Sequence, residues 1–311
     1  MLTRPGMGSL SAGFQQVDGA AFMLSEWTHV QPNEWYAEGP TLMGAYGWGL
    51  QGWDVSSIFQ MGGSKGGFTN RIGANLSDAT NPVILATFPT VARMVRRFDV
   101  TEAPVTHTLN AHPASLAEGK LSFRGTTLQD RDDKSFTTDK VPVEALAATR
   151  VAVKFTDSYQ DTQPFDLAPY LDGTTIVSST KQLRWTPAPE GQSLGGYLTI
   201  NTPATKGFAV ILLSAQGPTD TLATAQAIVV TAMARGRNTS IEFNEAGNQV
   251  LNMGKPPLLL EPVLAALTLP FAGTLDLLDH DGNAATASRA FKNSLALDGA
   301  ADRTPFYQIR R

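Results

Sequence analysis

The chain has no cysteine in its 311 residues, which removes disulfides, thiolate nucleophiles and thiolate metal sites together. That absence leaves the compartment open. Long apolar runs are missing as well. The most apolar stretch, Pro257 to Phe271, is broken by Glu261, Pro262 and Pro270 and is too short to span a bilayer. Residues 1–20 hold Pro5 and several glycines without a continuous apolar core, so no signal peptide is expected there. If the parent protein is exported, its signal lies upstream. Excess positive charge is also lacking. With 24 Lys and Arg against 28 Asp and Glu, the net charge is -4, and neither nucleic acid nor an anionic membrane is an expected partner.

Metal and cofactor signals are sparse, and none is expected to bind. His107 and His112 stand on a loop-like stretch with no carboxylate pair nearby. Asp279-His280-Asp281-Gly282-Asn283 begins like a calcium loop, but Ala290 stands where the twelfth-position glutamate belongs. An Asp-Gly turn is the better reading. The run Gly62 to Gly67 lacks phosphate-loop spacing. Arg93, Arg96 and Arg97 form the one notable basic group, at the end of a predicted helix, where they complement its dipole. Asn75-Leu76-Ser77 and Asn238-Thr239-Ser240 match the glycosylation tripeptide, which matters only on a eukaryotic secretory route.

What is present divides into three stretches. Residues 1–100 alternate strand and helix. Residues 20–25 read as a continuously apolar strand covered on both faces. A helical pattern over Glu34 to Trp48 follows, kinked at Gly39-Pro40. A second buried strand is expected at Gly49–Trp53, and a helix from about Pro82 to Phe98 with a kink or break near Pro89. Residues 101–180 read as a mixed connector with one helix at Val143–Ala148. Residues 181–311 are almost wholly β, with short strands between Pro, Gly, Asn and Asp, as in a sandwich. Candidate strands there are Gly196–Ile200, Phe208–Ala215, Ala227–Ala234, Ser240–Phe243, Leu258–Ala266, Thr274–Leu278 and Phe306–Ile309.

The chemistry is concentrated near the amino terminus. Glu26 ends an apolar run and is flanked by Trp27. A carboxylate at the carboxyl end of a barrel strand faces the active-site mouth, so Glu26 is the candidate nucleophile. A solvated carboxylate at a strand end is the alternative. Trp27 and Trp53 are candidate surfaces for the apolar face of a pyranose, against the usual role of an indole in a core. His29, Asn33 and Asp54 are candidate ligands for sugar hydroxyls. Asn33-Glu34 opens a predicted helix, with Asn33 placed to cap it and Glu34 in its first turn.

From Ser25-Glu26-Trp27 through Pro32-Asn33-Glu34-Trp35-Tyr36-Ala37-Glu38-Gly39-Pro40 to Trp53-Asp54, the sequence resembles clan A glycoside hydrolases. The likeness is to the large bacterial enzymes similar to family 42 β-galactosidases and to β-agarases. The segments Arg235-Gly236-Arg237-Asn238-Thr239 and Pro256 to Val263 are similar to the sandwich domain that follows the barrel in such proteins. The resemblance implies an α/β plus all-β chain, with strands seven and eight of a (β/α)8 barrel and their helices followed by a carboxyl-terminal β-sandwich. It makes Glu26 the retaining nucleophile, Trp53 the strand-eight tryptophan beneath the sugar, and a β-linked hexoside, β-galactoside or agar-type, the substrate. In that clan the acid/base glutamate sits on strand four. Only 25 residues precede Glu26, so the acid/base and strands one to six are expected from an upstream barrel segment or a completing chain. The alternative is a non-catalytic carbohydrate-binding or structural β-sandwich module.

Overall fold

The computed structural model describes residues 4–28, 36–60, 70–73, 79, 82–118, 123–128, 131–136, 140–186, 208–245 and 249–311. The expected strand at Gly196–Ile200 lies outside them. The chain mixes helix and sheet, with most of its regular structure in strands of small sheets and no closed barrel among the described residues. It forms two compact units, each assembled from three separate segments.

The first unit comprises Met1–Trp27, Leu42–Ser57 and Phe98–Gly195. Its core is a parallel strand pair, Thr106–Ala111 beside Arg150–Phe155, in register from Thr106 opposite Arg150 to Ala111 opposite Phe155. On the other side of Arg150–Phe155, Val17 makes a parallel bridge to Val153. The Val153 N–H donates to the Gln16 carbonyl at 2.6 Å, and the Asp18 N–H to the Val153 carbonyl at 2.8 Å. Leu109, Ala111, Val151 and Val153 pack with Phe14, Ala145 and Leu146 into one apolar cluster. Polar composition hid the first of these strands. Thr-His-Thr-Leu-Asn-Ala shows only two inward apolar positions, and its partner lies more than forty residues away.

One amide holds this core to the preceding helix. The Gln51 Nε2 donates to the carbonyls of Leu146 at 2.8 Å and Thr149 at 2.6 Å, and its Oε1 accepts from the Val151 N–H at 3.0 Å. The Gln16 Nε2 in turn donates to the Gln51 carbonyl at 3.1 Å. Both glutamines are fully buried. A buried side chain that satisfies three backbone groups leaves each of them desolvated when it is removed.

The helical pattern predicted from Glu34 resolves into Tyr36–Glu38, Gly39–Leu42 and a π-helical segment, Met43–Leu50. The strand expected at Gly49–Trp53 is instead the end of that helix and a turn. Gly52, at φ +66°, supplies the left-handed residue that stops it, and the strand forms later, at Val55–Ile58. Gly47 is required for another reason. A Cβ there would stand 2.7 Å and 2.9 Å from two indole carbons of Trp53. Among the described residues, the strand Met23–Trp27 pairs with Val55–Ile58 alone. It is not covered on both faces: Met23 is 61% and Val55 43% exposed.

The second unit comprises Thr28–Thr41, Ile58–Arg97 and Gly196–Arg311. Five antiparallel strands run in the order Val210–Ala215, Ala227–Met233, Phe306–Arg310, Gly273–Leu278 and Ala284–Phe291. Ile228, Val230, Leu275, Tyr307 and Ile309 of this sheet share a core with Ala265, Leu267, Leu295 and Leu297 of the ribbon Leu264–Thr268 with Ser294–Asp298. The predicted helix is two helices, Pro82–Leu85 and Phe88–Arg97. The break falls just before Pro89, which occupies the first turn of the second, where its missing N–H costs nothing. Arg93 does not serve its own helix end. It donates to the carbonyls of Ala215 at 2.5 Å and Gln216 at 2.6 Å, and Arg97 donates to those of Gly217 and Asp220. No described helix is long and apolar enough to cross a membrane.

Two stability predictions follow from the first unit. Gly47→Ala is expected to cost about 1–3 kcal/mol through overpacking against Trp53. Gln51→Leu is expected to cost on the order of 3 kcal/mol, by stranding three buried backbone groups. Urea unfolding checks both, and values within 0.5 kcal/mol of wild type, roughly the range of a neutral surface change, would contradict them.

Candidate functional site

Glu26 is the penultimate residue of Met23–Trp27 and is exposed. Trp27 beside it turns inward and is buried. Asp54 stands at the entry of the paired strand, where its Oδ2 accepts the Phe22 N–H at 2.8 Å. The Phe22 carbonyl accepts from the N–H groups of both Asp54 and Val55 at 3.2 Å. Asp54 thus fixes the start of the strand that carries Glu26, a positioning contact. Trp53 is 3% exposed. Its ring lies 5.2 Å from that of Phe22, and Gly47 covers it from the helix. In this structure both indoles are core residues, and neither presents a face to solvent. His29 and Asn33, with Glu34 and Trp35, lie outside the described residues, as do residues 61–69 after the second strand.

A hollow of about 340 Å³ is lined by Arg4, Met7, Val143, Glu144, Leu167 and Ile176, among others, and does not include Glu26. No group of three or more His, Asp or Glu side chains gathers as a metal site among the described residues. The Asp279 segment is a turn: Oδ1 accepts the N–H groups of Asp281 at 2.9 Å and Asn283 at 2.8 Å. Those bonds, led by that from Asn283, hold its carboxyl below the usual carboxylate range. Asn238 is buried, its Nδ2 donating to the carbonyls of Ile72 and Met253 while its Oδ1 accepts the Ile72 N–H. It has no amide left for a glycan.

A different group of side chains converges at the carboxyl end of the parallel pair. His112 follows Thr106–Ala111 directly. Its ring lies 4.4 Å from that of Tyr159, inclined by 32°. The Tyr159 hydroxyl reaches the Glu118 carboxylate at 3.0 Å and 3.1 Å. Farther along the same loop, and at the opposite, amino end of Thr106–Ala111, Phe165 stacks on Tyr170 at 5.6 Å and meets the His107 ring at 5.1 Å in a T-shaped contact. A signal for Tyr159 was present in its being an aromatic residue within a polar stretch. What brings His112 and Glu118 to Tyr159 is the parallel pairing, which the polar strand concealed.

The two segments singled out for their likeness to a sandwich domain lie side by side. Gly236–Thr239 pairs antiparallel with Lys255–Leu260, and Arg235 holds Glu261 through Nε at 2.6 Å and Nη2 at 3.2 Å. Comparison with protein-family models, with curated proteins and with solved structures returned no match to this chain.

His107 supplies a pH prediction. Burial lowers its pKa, with the Gln163 carbonyl, 3.0 Å from Nε2, pulling the other way. The unfolded chain therefore binds this proton first as pH falls. The contribution of the neutral ring is complete above the unfolded value of about 6.5 and is lost progressively below it. The melting temperature should fall from pH 7 to 5.5 more steeply for wild type than for His107→Gln. Parallel curves would contradict the assignment.

Proposed function

We propose that the chain is the carboxyl-terminal part of a retaining glycoside hydrolase acting on β-linked hexosides, with Glu26 as its nucleophile. The observation that carries the reading is the ribbon Met23–Trp27 with Val55–Ile58. Its first strand carries an exposed carboxylate at the penultimate position, and its Met23 and Val55 side chains stand in solvent. A two-stranded ribbon with open edges and bare apolar positions is unfavourable alone, and further strands beside it would bury both. In this reading the ribbon is strands seven and eight of a (β/α)8 barrel, and the five-stranded sheet with its ribbon is the β-sandwich that follows.

The chemistry divides between two carboxyl groups about 5–5.5 Å apart. The Glu26 carboxylate attacks the anomeric carbon as the glycosidic C–O bond breaks, and the acid/base on the completing segment protonates the leaving oxygen. Water, deprotonated by that same group, then releases the sugar. Alone, the chain should not turn over ordinary glycosides.

A substrate whose leaving group needs no proton isolates the Glu26 step. Incubation with 2-deoxy-2-fluoro-β-galactosyl fluoride should form an ester between Glu26 and the anomeric carbon as fluoride departs. Intact mass and peptide mapping should locate one added fluorosugar on Glu26 and none in Glu26→Gln. Absence of the adduct, or its appearance elsewhere, would remove Glu26 from the role. The burial of Trp27 and Trp53 favours a second reading, a non-catalytic carbohydrate-binding or structural module, and that reading requires the adduct to be absent.

A further inference from the structure

We infer that the carboxyl end of the parallel pair is a saccharide-binding platform built on Tyr159, separate from Glu26 and able to hold a neutral pyranose chain. The inference rests on the reading of this chain as a saccharide-handling protein, and it takes its evidence from other residues. In an open parallel arrangement, ligands bind beyond the carboxyl ends of the strands. Here those ends present two aromatic side chains to solvent, Phe155 at 50% and Tyr159 at 58% exposure.

Tyr159 is exposed but held. His112 lies against its ring at 4.4 Å, and Glu118 accepts its hydroxyl. Its loop is fastened to the neighbouring strand. Thr156 N–H donates to the Ala111 carbonyl at 3.0 Å, Asn110 N–H donates to Thr162 Oγ1 at 2.9 Å, and Asn110 Nδ2 to the Asp161 carbonyl at 3.0 Å. Lys140 pairs with the Asp161 carboxylate. An aromatic ring fixed before the ligand arrives loses little entropy on binding. The apolar C–H face of a pyranose fits such a ring, and the sugar's hydroxyls need polar groups at its rim.

Those groups are present. The Glu118 carboxylate beside the phenol accepts hydrogen bonds. His112 Nδ1 accepts the Ala114 N–H at 3.3 Å, which in the neutral ring leaves the proton on Nε2 as a donor. The surrounding charge selects the ligand. Glu118 and Asp157 are exposed carboxylates, while Asp161 is offset by Lys140, so a polyanionic saccharide is disfavoured and a neutral one is not.

The test is electrophoresis of the full chain in native gels containing arabinogalactan, galactomannan or low-melting agarose, with alginate as the anionic control. Wild type should be retarded in at least one neutral gel and unaffected by alginate. Tyr159→Ala should weaken apparent affinity about tenfold, while Tyr159→Phe, which keeps the ring, should retain most of it. Circular dichroism of each variant should match wild type, as expected for a half-exposed side chain. Glu26→Gln should bind as wild type does, so loss of the fluorosugar adduct and loss of retardation report on different readings. No retardation in any neutral gel, or equal retardation of Tyr159→Ala, would overturn the platform. So would concentration-dependent dimerisation that Tyr159→Ala abolishes while gel mobility stays unchanged, because the ring would then be a contact between copies.

Discussion

The side-chain amide of Gln51 is the constraint on which the first unit depends. It closes the helix Met43–Leu50 onto the turn before Arg150–Phe155, tying Leu146, Thr149 and Val151 in three bonds with no water between them. From that junction the chain runs two ways. Backward and forward of Gln51, the glycine at position 47 and the ring of Trp53 seat the ribbon that carries Glu26. Along Arg150–Phe155, the same junction sets where the parallel pair ends, and so where His112 and Tyr159 meet.

Sequence reasoning was most reliable where apolar periodicity and punctuation agreed. The strands Val210–Ala215, Ala227–Met233, Gly273–Leu278 and Phe306–Arg310 are β-branched or leucine-rich and bounded by Gly, Pro or Asp, and each was legible within a few residues. The strand Ala284–Phe291 was not. Its Ala-Ala-Thr-Ala-Ser-Arg-Ala-Phe has little β-propensity, and the pairing with Gly273–Leu278 makes it a strand. The run Leu258–Ala266 looked continuous, but Glu261-Pro262 divides it into strands that serve different partners.

The site was legible in part. Glu26 is exposed near the end of its strand, an environment that the nucleophile reading and the solvated-carboxylate reading share. Trp53 was placed on a strand because it follows an apolar stretch, yet three glycines between Gly44 and Gly49 allow a π-helix that swings the indole inward. Asp54 proved to be a backbone anchor for Phe22. Such tertiary choices leave no trace in local periodicity. The same holds for Tyr159, whose partners come from a strand disguised by threonine, histidine and asparagine.

Glu26 is an exposed carboxylate near the end of one two-stranded sheet, and Tyr159 is an aromatic ring pinned beyond another. The first needs further strands and a second carboxyl group before a glycosidic bond can be cut. On the inference drawn from its partners, the second would hold a neutral sugar with residues of this chain.

Native-state hydrogen exchange at Val151 tests the central constraint most directly. If its amide is locked on Gln51 Oε1, it should exchange only through global unfolding, as slowly as Val153 beside it. Exchange as fast as that of the exposed loop around Tyr159 would contradict the account.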